Sequence, residues 1–94
     1  MIKVLIAEDE PLSLQNLTGH LRRLLGADAL IEGAANGREA VDMARRIRPQ
    51  LVLMDIKLPF YNGYHWCSRI REMSKVPVIF VSSASDNMNI VMAV

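Results

Sequence analysis

The chain has 94 residues, enough for one small domain, and its 51% hydrophobic and 22% charged residues exclude a disordered or membrane-embedded polypeptide. The net charge of +1 gives no reason to expect contact with nucleic acid. A single cysteine excludes an intrachain disulfide and suits a reducing compartment, and no apolar stretch reaches the ~20 residues of a membrane span. We therefore expect a cytoplasmic domain that does not enter a membrane.

Three short aliphatic runs are typical of strands that are buried on both faces, because their apolar residues follow one another without alternation. They are Lys3–Ala7, Leu51–Met54 and Val78–Val81. A weaker run, Ala29–Ala35, predicts a strand nearer the edge of the sheet.

Helical spacing separates these strands. Leucines recur three and four residues apart between Leu14 and Leu25, after Pro11 and before a stop at Gly26. Similar patterns run from Ala40 to Ile47, from Tyr64 to Met73, and from Ser85 or Asp86 to Val94. Alternating strands and helices predict an α/β fold, a doubly wound parallel sheet with helices on both faces.

In such a sheet the functional site lies at the carboxyl ends of the strands. Glu8 and Asp9 directly follow the first strand, Asp55 ends the third and Ser82 ends the fourth. Taken singly, such residues are usually helix caps or turn formers. Their occurrence together at successive strand ends favours one shared site.

Clustered carboxylates repel one another unless a cation lies among them, and an all-oxygen site suits Mg²⁺. A carboxylate held beside Mg²⁺ can attack a phosphoryl donor. We predict that Asp55 is the nucleophile and that Glu8 and Asp9 hold the ion. The Ser82 hydroxyl would then bind the transferred phosphoryl group, and its loop would move inward.

Four segments, KVLIAEDE, PQLVLMDIKLP, NG and PVIFVSS, resemble the receiver domains of bacterial two-component response regulators, which have a flavodoxin-like (CheY-like) fold. The resemblance covers the entire chain. It implies that Asp55 is the phosphoacceptor, that Glu8 and Asp9 are the acidic pair of the metal site, and that Ser82 is the switch residue. It also implies an Mg²⁺ ligand in the backbone carbonyl of Lys57, and a turn after the acceptor that contains Pro59 and Gly63.

Residues 58–94 resemble more narrowly the OmpR-like regulators of antimicrobial-peptide (bacitracin-type) sensing. This implies a sensor histidine kinase as partner and a DNA-binding domain elsewhere in the parent protein. It also implies a non-enzymatic switch that controls transcription, with no nucleic acid contact by residues 1–94 themselves.

The chain departs from the family pattern at its C-terminus. Relative to that pattern, residues 1–94 are a receiver domain without the final strand and helix, and the family's catalytic lysine would lie beyond Val94. We therefore expect strand 78–82 to be an exposed sheet edge and the aliphatic residues of the first and third strands to be uncovered. Both features predict self-association.

Two other functions are compatible with the sequence. A switching-incompetent interaction fragment would bind partners yet ignore phosphodonors. A phosphohydrolase with an aspartyl nucleophile is less well supported, because the position of its usual second acid is occupied by Lys57.

Overall fold

The structure is a computed structural model that describes residues 1–82 and 89–92, with side chains for residues 1–81. Strands and helices alternate along the chain until the last two strands. They are β1 (Lys3–Ala7), α1 (Pro11–Leu25), β2 (Leu30–Ala34), α2 (Gly37–Ile47), β3 (Leu51–Asp55), α3 (Gly63–Arg71), β4 (Val78–Ser82) and β5 (Asn89–Met92).

The strands form one five-stranded sheet in the order β2-β1-β3-β4-β5. β1 to β4 are parallel, which confirms the predicted doubly wound sheet and places β2 at an edge. Ala7 pairs with Met54 and Asp55 pairs with Val81. This register brings the ends of β1, β3 and β4 level at one edge of the sheet.

Helices cover both faces of the sheet, so alternate residues of each strand enter different cores. Leu5 and Met54 face α2 and α3, where Ala40 and Ile70 belong to the same cluster. Ile6 and Leu53 face α1, where they pack with Leu17. All of these residues are buried, as the uninterrupted aliphatic runs predict.

Side chains that accept backbone N–H groups start the helices, so that α2 begins three residues before the predicted pattern at Ala40 and α3 one residue before that at Tyr64. Asn36 Oδ1 accepts from the Glu39 N–H at 2.9 Å, and Glu39 Oε2 accepts in return from the Ala35 N–H at 2.8 Å, which forms a reciprocal cap on α2. Asn62 caps α3 in the same way through the His65 N–H at 3.0 Å. Gly26 ends α1, as expected.

The helix predicted from Ser85 or Asp86 to Val94 is wrong over residues 89–92, which form strand β5; the predicted start at residues 85 and 86 lies outside the described residues. A stretch of four residues does not distinguish helix from strand by periodicity, and the β-branched Ile90 and Val91 favour a strand. β5 runs antiparallel to β4, with Phe80 opposite Val91 and Ser82 opposite Asn89.

The expectation of an exposed edge at residues 78–82 is therefore also wrong, because β5 pairs with the backbone of β4 along Ile79–Ser82. The expected uncovered aliphatic face is wrong as well. Val4 and Ile6 are fully buried and Leu53 is 7% exposed, because leucines of α1 pack over them. The structure thus gives no support to self-association through β4. Within the described ranges, no helix is long and apolar enough to cross a membrane.

Candidate functional site

Three carboxylates meet at the carboxyl edge of the sheet. Glu8 extends β1 by one residue, and its N–H donates to the Ala34 carbonyl of β2 at 2.9 Å. Asp55 is the last residue of β3. One carboxylate oxygen from each of Glu8, Asp9 and Asp55 lies within 4.8 Å of the others, in the arrangement predicted from the strand ends.

The environments of the three acids differ. Glu8 and Asp55 are each only 3% exposed, whereas Asp9 is open to solvent. Burial, a hydrogen bond between the Glu8 and Asp55 side chains, and the charge of Asp55 together raise the pKa of Glu8 from its ordinary 4.5 to about 8. The fold therefore holds two buried carboxyl groups against electrostatic repulsion, which favours either a shared proton or a cation between them.

Backbone groups fix the acceptor loop beside these acids. The Lys57 N–H donates to Asp55 Oδ1 at 3.1 Å, and the Gly63 N–H donates to the Ile56 carbonyl at 2.8 Å. A Cβ at Gly63 would lie 2.4 Å from the Asp55 carbonyl oxygen. The predicted glycine is thus needed for a close approach of α3 to the backbone of the acceptor residue.

Glu10 is a residue of the site that the sequence analysis did not identify. Its carboxylate caps α1 by accepting from the Leu12 and Ser13 N–H groups at 3.2 and 2.8 Å, and these bonds lower its pKa. Its own N–H donates to Glu8 Oε1 at 3.3 Å, so the start of α1 orients the Glu8 carboxylate. An acid directly before a proline at the first helical position is the signal that could have revealed this cap.

The remaining predicted positions lie near the acids. Pro59 is half-buried in the loop after Asp55, and its carbonyl accepts from the Tyr61 N–H at 2.9 Å. Lys57 is exposed, and the role of its carbonyl as a metal ligand stays a prediction. Ser82 ends β4, beside the acceptor strand, but its side chain lies outside the described part of the chain, so its switch role also stays a prediction.

The sequence matches the family of response regulator receiver domains over residues 4–94. The chain belongs to this family. Among similar proteins, the transcriptional regulatory protein YvcP of Bacillus subtilis, whose name describes it as uncharacterized, is 38% identical over the whole chain, which spans 38% of that protein. The response regulator protein GraR of Staphylococcus haemolyticus is 34% identical over 98% of the chain and 40% of its own length.

Solved receiver structures agree with this membership. The signal receiver domain of a modulated diguanylate cyclase from Desulfovibrio desulfuricans is 32% identical with a TM-score of 0.78, over 92% of this chain and 68% of that one. The chemotaxis protein CheY4 of Vibrio cholerae is 28% identical with a TM-score of 0.76, over 85% and 67%. The CheY-like fold and the resemblance to response regulators are therefore confirmed. The chain spans about two fifths of the length of the curated regulators it matches.

Proposed function

We propose that this receiver domain is a phosphorylation-controlled switch in which Asp55 accepts a phosphoryl group from a sensor histidine kinase. The observation that carries the proposal is the cluster of Glu8, Asp9 and Asp55, whose oxygens lie within 4.8 Å of one another at the carboxyl edge of a receiver fold. A buried pair such as Glu8 and Asp55 costs stability unless its charge is neutralised, so a site kept for function is the better explanation.

The donor set fits Mg²⁺, because it is made of carboxylate oxygens with one solvent-exposed side. Asp9 and Asp55 would bind the ion directly, Glu8 directly or through water, and Lys57 through its backbone carbonyl. When bound, Mg²⁺ supplies positive charge that offsets the oxygens of the transferred group.

The chain's own residues would carry out the transfer. A carboxylate oxygen of Asp55 attacks phosphorus, an O–P bond forms, and the P–N bond to the donor histidine breaks, with the electron pair leaving on nitrogen. The Lys57 N–H holds Asp55 Oδ1 during the attack. The fixed loop keeps the acceptor in place, and Ser82 would then hydrogen-bond the new phosphoryl group.

The output that we propose is control of transcription through a DNA-binding domain outside this chain. YvcP and YxdJ of Bacillus subtilis are named transcriptional regulatory proteins, and the chain spans only 38% and 40% of them. Residues 1–94 would carry the switch in the cytoplasm, with no nucleic acid contact of their own.

Intact-mass measurement after incubation with acetyl phosphate tests the switch. We expect the mass of one phosphoryl group to be added to the wild-type chain with Mg²⁺, and none to be added with EDTA or in Asp55→Ala. Asp42→Ala is the matched control, because it removes an exposed aspartate from α2 and should leave the gain unchanged. A folded wild-type chain that gains no mass would contradict the proposal and favour the interaction fragment. Turnover of the donor without accumulation of the adduct would favour the phosphohydrolase.

A further inference from the structure

A row of three cavities that share lining residues runs along α2 and α3, and one end of it reaches the loop after Asp55. Its central part has a volume of about 450 Å³ and adjoins a second cavity of about 390 Å³ at one end and a third of about 420 Å³ at the other. Arg38 and Trp66 line both the central part and the first end, and Arg45 lines both the central part and the other end. We call these three neighbouring cavities the α2–α3 groove.

Apolar side chains occur along the α2–α3 groove, and the two at its centre form its floor. Val41 and Trp66 are half-buried at its centre, Phe60 lies at one end with 94% of its surface exposed, and Met73 lies at the other with 38% exposed. Trp66 is held against α2 because Gly37 lacks a side chain: a Cβ there would lie 2.2 Å from the indole ring. The apolar floor is therefore a built feature of the α2–α3 packing.

The rim of the α2–α3 groove is basic. Arg38 and Arg45, about two turns apart on α2, line the central part together with Arg69 of α3, and the only acid that lines it is Asp42. Arg48 adds a further positive charge at one end. Arg69 makes an exposed ion pair with Glu72 at 3.9 Å, which contributes little, and Arg38 and Arg45 pair with no acid among the described residues.

We propose that the α2–α3 groove docks an acidic amphipathic helix of a partner protein. The apolar side of such a helix would cover Val41 and Trp66, and carboxylates along its flanks would pair with the arginines on both rims. Nucleic acid fits less well, because a phosphate backbone would use the rim but leave the apolar floor uncovered and would meet Asp42 at the centre. This docking does not depend on phosphorylation of Asp55 and is independent of the proposed switch.

The probe is a synthetic peptide of about 18 residues, with a leucine stripe flanked by glutamates, that is long enough to span the groove. Trp66 is the only tryptophan of the chain, so its fluorescence reports binding directly. Three comparison ligands are an isomer of the same composition with leucines spread around the helix, the amphipathic peptide with lysine for glutamate, and a single-stranded DNA of similar charge.

We expect the acidic amphipathic peptide to shift Trp66 emission. Its affinity should be at least about tenfold higher than that of each comparison ligand. Arg45→Glu should weaken binding about tenfold or more, as expected for a central arginine. Its neighbour Arg46, in the same helical turn but outside the groove, is the matched control, and Arg46→Glu should change affinity by no more than about threefold.

Three outcomes would overturn the proposal. They are the absence of any Trp66 response to the acidic peptide, an equal response to DNA, and equal losses in Arg45→Glu and Arg46→Glu. Circular dichroism of both variants separates a binding defect from a folding defect, and phosphorylation of both with acetyl phosphate shows that the acidic site is intact.

Discussion

Glu8 and Asp55 are each 3% exposed, whereas the arginines of the α2–α3 groove are exposed on the surface of two helices. The two regions therefore differ in the sign of their charge and in the free energy that holding the charge requires. The acids lie against one another at strand ends, and burial raises the pKa of Glu8. The arginines remain in water, where a charge costs little.

The burial of the charges decides what each region indicates about function. Buried like charges are a sign of function by themselves, because an unneutralised pair destabilises the folded state. Exposed arginines are common on helices, and at a helix C-terminus they also complement the helix dipole. They indicate docking here only because a half-buried tryptophan and other apolar residues lie between them.

The acidic region depends on a close backbone contact at Gly63. Gly63→Ala places a Cβ 2.4 Å from the Asp55 carbonyl oxygen, and two backbone segments must separate. We expect the free energy of unfolding to fall by about 3 kcal/mol and phosphorylation of Asp55 to slow, as measured by urea titration and by intact mass.

Gly19 provides the matched control for this change. It lies within α1, and a Cβ there meets nothing within 4 Å. Gly19→Ala should therefore stabilise the protein by about 0.5–1 kcal/mol. Similar effects of the two substitutions would show that the acceptor loop tolerates displacement.

The electrostatic cost of the acidic region should appear as a dependence of stability on pH. Because the folded-state pKa of Glu8 is raised from 4.5 to about 8, the folded state binds more protons than the unfolded state between these values. Without metal, the contribution of Glu8 to the free energy of unfolding should be highest below pH 4.5. It should then fall by several kcal/mol as the pH rises through 8, since each pKa unit corresponds to about 1.4 kcal/mol.

Glu8→Gln tests this assignment, because an amide cannot ionise. We expect the variant to lose most of the fall in stability measured by thermal denaturation at several pH values. Saturating Mg²⁺ should raise the stability of the wild-type chain most at high pH, where Glu8 is ionised. An unchanged slope in Glu8→Gln would assign the pH dependence to other groups.

The sequence alone predicted most of the acidic region. The aliphatic runs before Glu8 and Asp55 are typical of buried strands, and parallel strands bring their carboxyl ends to one edge. Neighbouring residues in the chain carried the information, so no long-range packing had to be known. Gly63 was predicted too, although the structure assigns its role to a close approach of backbones, which no local pattern could show.

The rest depended on packing between distant segments. Residues 89–92 are too few for periodicity to distinguish a helix from a strand. They form a strand because they pair with the backbone of β4. The α2–α3 groove brings Arg38 and Arg45 beside residues more than twenty positions later, a proximity that no local sequence pattern could show. Arg45 and Arg46 lie in the last turn of α2, where their charges also complement the helix dipole.

Phe60 lies where the two regions meet, five residues after Asp55 and at one end of the α2–α3 groove. Its φ of 72° is in the left-handed region, and the Tyr61 N–H closes the turn by donating to the Pro59 carbonyl. A phenylalanine is strained in this conformation, whereas glycine is not. Because the ring is 94% exposed, its removal costs little packing energy.

We therefore expect Phe60→Gly to be more stable than Phe60→Ala by about 1 kcal/mol in urea titration, since alanine lacks the ring but keeps the strain. If Phe60 also contributes to the α2–α3 groove, both variants should bind the acidic peptide more weakly and to the same extent. Strain then shows only in the stability difference between the two variants, and docking only in the loss of affinity that they share. Equal stability of the two would mean that the turn imposes no strain. Unchanged affinity in both would confine docking to the central part of the groove around Trp66.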